Sequence, residues 1–188
     1  YRSKGAGDHD FVFGPSHEEV VTPLAAHYVQ SYKDLPFSVY HIQTKFRNEP
    51  RAKSGILRGR EFGMKDMYSF HATEEDLEVY YKKAIQAYFN VFKRCGLDAY
   101  IVEASGGAFS DKFSHEFAVA TPAGEDTMIL CESCRNAQNK EVATDESKCP
   151  KCGNTKLRKE KVIEVGNIFK LGTKFSKDFN LLYSDKDW

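Results

Sequence analysis

From Phe37 to Phe46 the chain alternates, with Val39, His41 and Gln43 set against Tyr40, Ile42 and Thr44. That is the period of an extended strand. Arg60 to Phe70 reads as a returning strand. Between them, Asn48 to Gly59 is rich in Arg, Lys, Gly and Pro and reads as loop. The two strands are therefore expected to form an antiparallel hairpin with a long basic loop. A helical period follows: Leu77, Tyr80, Tyr81, Ile85, Tyr88, Phe89 and Phe92 fall on one face. Thr73 stands at its N-cap, Glu74, Glu75 and Asp76 favour its positive end, and Cys95-Gly96 ends it. Upstream, residues 8–14 predict a short strand ending at Gly14-Pro15. A helix is expected next, with Ser16 as N-cap and Glu18 and Glu19 in the first turn. Its apolar positions are Val20, Leu24 and Val29, and it should fade near Asp34-Leu35-Pro36. Downstream, strands are expected at Leu97 to Ala104, His115 to Ala120 and Lys161 to Leu171, before a polar tail. The order predicts an α+β fold, an antiparallel sheet flanked by helices.

Composition narrows the function. Hydrophobic residues make up 41% of the 188, enough for a core, and 27 basic residues balance 27 acidic ones. Zero formal charge excludes a globally basic nucleic-acid binder, so any RNA contact must come from a local patch. No apolar run approaches the ~18 residues of a membrane span. Tyr1-Arg2-Ser3-Lys4 has no signal-peptide core behind it, so a cytoplasmic location is expected. Tyr1 stands where a start methionine would, and Trp188 follows a polar Ser-Asp-Lys-Asp stretch. This reads as an internal piece of a longer protein.

The basic loop and its flanks carry the first candidate chemistry. Attack at the α-phosphorus of ATP needs a forked, permanently charged donor on the α-phosphate, which arginine supplies. It gains from a second arginine at the departing pyrophosphate, a carboxylate near the adenine amino group and an aromatic face for the base. Arg47 and Glu49 stand at one strand end, Arg58 and Arg60 at the loop exit, and Phe62 on the returning strand. Two-residue spacing within each set predicts a shared face. An ordinary hairpin with a solvated basic loop is the plainer reading of the same residues.

The second candidate is a cysteine module. Cys131-Glu-Ser-Cys134, fourteen intervening residues, then Cys149-Pro-Lys-Cys152 reads as a zinc ribbon. Four thiolates leave no open position for water, so a bound Zn²⁺ would be structural. Four unligated thiols are the alternative. A redox pair is disfavoured, because no thioredoxin-like context surrounds them. Cys95, at a helix end, reads as a packing residue.

Phe46-Arg47-Asn48-Glu49, followed by a loop and Arg58-Gly59-Arg60-Glu61-Phe62, resembles motif 2 of class II aminoacyl-tRNA synthetases. The resemblance implies that Arg47 holds the α-phosphate and the amino-acid carboxylate. It implies Glu49 near the adenine amino group, Arg58 on the γ-phosphate and Phe62 stacked on adenine. Gly14-Pro15-Ser16-His17-Glu18-Glu19 is similar to the Gly-Pro-Thr-His-Glu-Glu segment of the prolyl-tRNA synthetase family. There Ser16 and Glu18 would hold the imino group of proline, while both also suit a helix start. Arg60 to His71, Ser114 to Phe117 and Ile163 to Phe175 look like further segments of the bacterial-type family. By the same likeness Glu164 is a candidate ATP or Mg²⁺ contact. His115 is either a wall of the proline pocket or a packing residue. Asn167 stands where that family usually has histidine; it keeps a hydrogen-bond donor and loses the capacity to become cationic.

The resemblance further implies proline activation with ATP and transfer to tRNA(Pro), in a protein that is a homodimer when complete. The expected organisation is a catalytic core over 1–128, a Cys₄ zinc-ribbon-like module over 129–160 and a return to the core over 161–188. The family's editing domain usually lies between the positions of Glu141 and Cys149, and only Val142 to Lys148 fills that gap. Motif 1 would precede Tyr1, and motif 3 and the anticodon-binding domain would follow Trp188, so the piece alone is expected to bind ligands weakly or not at all. Two rival readings stand: a paralogue that binds amino acid or ATP without aminoacylating, and a zinc-ribbon RNA-binding module.

Overall fold

A computed structural model of the chain describes residues 1–50, 55–107 and 114–186. Strands β1 (Arg2–Lys4) and β2 (Asp10–Val12) form a short hairpin, and helix α1 (Glu18–Tyr28) follows. Strands β3 (Phe37–Phe46) and β4 (Glu61–Phe70) form a ten-rung antiparallel hairpin, from Phe37↔Phe70 to Phe46↔Glu61. Helix α2 (Glu74–Arg94) comes next, then β5 (Ala99–Ala104), β6 (Ser114–Ala120), β7 (Asp126–Cys131), β8 (Ala137–Asn139), β9 (Leu157–Ile168) and the short helix α3 (Lys174–Asp178). The chain divides into two compact units: Tyr1–Glu78 with Thr173–Trp188, and Val79–Gly172.

In the first unit, α1 is shorter than the sequence predicts. It stops at Tyr28 because Val29 turns extended and Ser184 takes over the backbone: Ser184 donates to Gln30 O and Tyr32 donates to Ser184 O. Ser31 and Asp34 then close a capping box on a separate single turn. The N-cap is His17 rather than Ser16. The Ser16 hydroxyl donates to the Glu18 carboxylate, and the N-cap residue makes no side-chain cap bond.

In the second unit, β5-β6-β9-β7-β8 close into a barrel. Every pairing is antiparallel except the one that closes it, Glu103↔Gln138 between β5 and β8. The α+β character and the antiparallel ladders match expectation. The strands are divided among two hairpins and this barrel rather than one sheet. Val102, Ala118, Met128, Leu130, Ala137 and Val162 form the barrel core. Burying the valine, methionine and leucine side chains among them stabilises by about 1.5–3 kcal/mol each. Phe117 is fully buried, its ring 4.4 Å from Tyr88 and 5.3 Å from Phe89 on α2. A Cβ on Gly166 would lie 3.0 Å from Tyr88 and 3.1 Å from Phe92, so glycine there permits the close approach of α2 to β9. No helix among the described residues is long and apolar enough to cross a membrane.

Candidate functional site

The end of the β3–β4 hairpin meets the segment before α1. Phe46 N donates to Gly14 O at 3.1 Å, and the Phe13 and Phe46 rings lie 4.8 Å apart. This tether lays Pro15, Ser16, His17 and Glu18 beside the start of the basic loop. A Cβ on Gly14 would come within 2.6 Å of the His17 ring, so the turn needs glycine for space.

Arg47 follows β3 directly and continues the ladder by one rung, its N–H donating to Arg60 O at 2.9 Å. Its Nε donates to Pro15 O at 3.1 Å, and its guanidinium lies 5.4 Å from the centre of the Phe62 ring. The Arg58 guanidinium is 3.4 Å from the Glu49 carboxylate, and Arg60 Nε donates to Glu49 O at 2.9 Å. Arg47, Glu49, Arg58 and Phe62 are thus brought together, and Ser16 and Glu18 are brought to them. Strand parity is not the reason. β3 ends at Phe46 and Glu49 N turns back onto Arg47 O, so cross-loop hydrogen bonds gather these groups. Arg51 to Ser54 of the basic loop lie outside the described residues.

Glu18 is half-buried. Burial pushes its carboxyl up, its own backbone amide opposes, and Asp66 adds to the rise while Lys45 and Arg47 counter it. A protonated secondary amine against this carboxylate would relieve the desolvation that raises it.

Beneath Glu18 is a buried polar cluster that the sequence reading missed. Lys45 is fully buried, with its Nζ against His17 Nδ1, 2.9 Å from His41 Nε2 and 3.1 Å from Asp66 Oδ2. His41 Nε2 lies 2.6 Å from Asp66 Oδ1, and the Tyr68 hydroxyl donates to Asp66 Oδ2 at 2.6 Å. Burial pushes Asp66 up, but the bonds from Tyr68, Lys45 and His41 outweigh it and hold the carboxyl below its ordinary range. Burial and the Lys45 charge lower His17. The available signal was register: His41 and Lys45 share a strand face, and Asp66 pairs directly with His41.

The other predicted residues belong to the second unit. His115 on β6 faces a cavity of about 290 Å³ lined also by Ile101, Glu103, Cys134, Arg135 and Lys151. The Tyr81 hydroxyl donates to Ile168 O at 3.2 Å and lies 2.8 Å from His115 Nδ1. His115 Nδ1–H therefore donates to Tyr81 and leaves Nε2 as an acceptor. Burial holds this histidine below its ordinary value, Glu103 opposing and Lys170 adding to the fall. Glu116 is pushed up to about 7 by burial and then by the nearby charge of Glu164. Two carboxylates in that relation would be relieved by a divalent cation. Asn167 Nδ2 lies 3.4 Å from Glu164 Oε1.

The four cysteines of the module converge at one end of the barrel. Their sulfurs lie within 4.8 Å of one another, with Cys131–Cys152 and Cys134–Cys149 each at 3.6 Å. Tetrahedral thiolates about 2.3 Å from zinc stand about 3.8 Å apart, so the donor set fits that ion. Burial pushes the Cys149 thiol up, yet the backbone amides of Cys152 and Lys151 and the Cys134 thiol draw it down to about 7.

Compared with known proteins, residues 1–188 match the family model of the tRNA synthetase class II core domain (G, H, P, S and T). A proline–tRNA ligase of Dehalococcoides mccartyi is 49% identical over 148 residues, 79% of this chain and 26% of that protein. A proline–tRNA ligase of a Sulfurihydrogenibium species is 50% identical over 143 residues, 76% of this chain and 25% of that one. The chain thus spans about a quarter of the length of the curated relatives it matches. Among solved structures, Giardia lamblia prolyl-tRNA synthetase in complex with prolyl-adenylate superposes with a TM-score of 0.72 at 18% identity, over 100% of this chain and 32% of that one. Prolyl-tRNA synthetase from Cryptosporidium parvum, complexed with L-proline and AMP, gives 0.71 at 14%, over the same shares. At such identities the likeness shows the fold. With a family model matched from end to end, the chain belongs to the class II tRNA synthetase core domain family.

Proposed function

We propose that the complete protein carrying this chain activates proline with ATP and transfers it to tRNA(Pro). The observation that supports this reading is the bond from Arg47 Nε to Pro15 O, the residue directly before Ser16 and close to Glu18 in sequence. Glu18 takes the protonated imino group, and Ser16, already bonded to Glu18, orients it. Arg47 neutralises the proline carboxylate and the α-phosphate together. That carboxylate attacks the α-phosphorus, and the bond to the β-phosphate oxygen breaks with the electron pair leaving on pyrophosphate. Arg58 receives the γ-phosphate end, Glu49 accepts from the adenine amino group and Phe62 offers its face to the base. Positioning and charge neutralisation supply the rate, and no covalent protein intermediate is needed. In the second step a ribose hydroxyl at the 3′-end of the tRNA attacks the carbonyl carbon, AMP leaves, and the hydroxyl loses its proton.

The same reading gives His115 to the wall of the proline pocket and Glu164 to ATP and Mg²⁺. Cys131, Cys134, Cys149 and Cys152 hold a structural Zn²⁺, in a module spanning 129–160 where the editing insertion of the family usually lies. Residues 1–128 and 161–188 are its catalytic core. The complete protein works as a homodimer in the cytoplasm. The names of the relatives support proline as the substrate, as does the prolyl-adenylate bound by the Giardia lamblia enzyme.

The test is ATP–pyrophosphate exchange by the complete protein. Exchange should depend on proline and exceed that with alanine or cysteine by about 10²-fold. Exchange without preference for proline refutes the substrate, and ATP binding with no exchange at all favours a non-aminoacylating paralogue.

A further inference from the structure

Lys45 has no part in the chemistry above, yet its side chain is 0% exposed. Burying an ammonium costs several kcal/mol unless its partners are close and complete. Here they come from three places in the fold: His41 from β3, Asp66 from β4 and His17 from the loop before α1. The ligand atoms of His17, His41 and Asp66 lie within 4.8 Å of one another, a grouping that could hold a metal ion. The Lys45 ammonium is against all three, so the cluster carries its own tethered cation. Asp66 Oδ1 lies 2.6 Å from His41 Nε2.

We infer that Lys45 is a positioning residue, whose buried ammonium ties His17 to the β3–β4 hairpin and thereby fixes Glu18 for the imino group of the substrate. The inference rests on the reading of Ser16 and Glu18 given above. The segment from Gly14 to Glu18 is held at its start by Phe46 N to Gly14 O and by Arg47 Nε to Pro15 O. Lys45 to His17 holds its end, one residue from Glu18. Cutting only this last tether frees Glu18 while Arg47, Glu49, Arg58 and Phe62 keep their contacts. The amino-acid side of the site should loosen and the nucleotide side should not.

The experiment measures pyrophosphate exchange by the complete protein, with KM for proline and for ATP determined separately and melting temperature alongside. Lys45→Met keeps the stem and removes the charge. His17→Leu removes the acceptor, and His17→Asn restores one where Nδ1 was. Lys45→Met and His17→Leu should raise KM for proline at least about tenfold while KM for ATP stays within about twofold. His17→Asn should stay within about threefold of the parent on both. If Lys45→Met does not fold, the two His17 variants carry the test by themselves. Unchanged KM for proline in His17→Leu, or KM for proline and ATP rising together, overturns the inference. A parent enzyme indifferent to proline brings down the site reading first, and this inference with it.

Discussion

Replacing Arg47 with alanine in the complete protein is expected to lower kcat/KM for proline-dependent exchange by about 10³-fold. In the proposed reaction two anions meet, the proline carboxylate and the α-phosphate, and Arg47 is proposed to serve both. Its Nε is committed to Pro15 O, which fixes the plane of the guanidinium. The Phe62 ring at 5.4 Å supports it from the side. The loss should fall on kcat as well as KM, because the negative charge to be stabilised is greatest in the transition state. Arg47→Lys should recover little, since an ammonium can neither span two anions nor keep a planar contact with Phe62. The fold should survive, as one hydrogen bond and one exposed cation–π contact each contribute about 1 kcal/mol. A loss below about tenfold in Arg47→Ala would remove this residue from the reaction.

Metal removal should have the next largest effect, and on stability rather than chemistry. The complete protein should carry one zinc per chain at the four cysteines. Chelation, or Cys149→Ser, should lower the melting temperature by more than about 10 °C. Cys131 ends β7, and Cys149 and Cys152 lie in the segment that leads into β9, so the site closes one end of the barrel. The local backbone belongs to the same closure: Arg135 N donates to Cys131 O, and Gly153 N donates to Cys149 O at 2.8 Å. Cobalt in place of zinc should give the thiolate charge-transfer absorption of a tetrahedral sulfur site. A metal-free protein that melts at the same temperature, with four thiols open to alkylation, would contradict the assignment.

The sequence made some elements plain and hid others, for identifiable reasons. β3 was legible by its alternation, whose period the burial follows but whose polarity it inverts: Tyr40 and Ile42 are 69% and 77% exposed, while Lys45 is buried. α2 was legible because one stripe of aromatics packs on Phe117 and Gly166. β7 was hidden by its Met-Ile-Leu-Cys run, which is buried throughout and has no alternation. β8 is three residues long, shorter than any period can register. α1 ended early through backbone bonds from Ser184, more than a hundred residues away in sequence, which no local pattern carries.

The candidate site divides in the same way. Arg47, Glu49, Arg58 and Phe62 were proposed because their types and spacing suit attack at the α-phosphorus of ATP, and Ser16 and Glu18 because their segment resembles one of the prolyl-tRNA synthetase family. Lys45 was passed over because lysine is almost always a surface residue. Only the pairing of His41 with Asp66, and the return of His17 onto the hairpin, give that charge its partners.

The arms of one hairpin and the segment before α1 are proposed to form a single site for ATP and proline. A crystal structure of the complete protein with proline and a non-hydrolysable ATP analogue tests it most directly. Arg47 should lie between the α-phosphate and the proline carboxylate, Glu18 on the imino nitrogen and Phe62 against adenine. A nucleotide seated away from Arg47 and Phe62, or proline bound without Glu18, would contradict it.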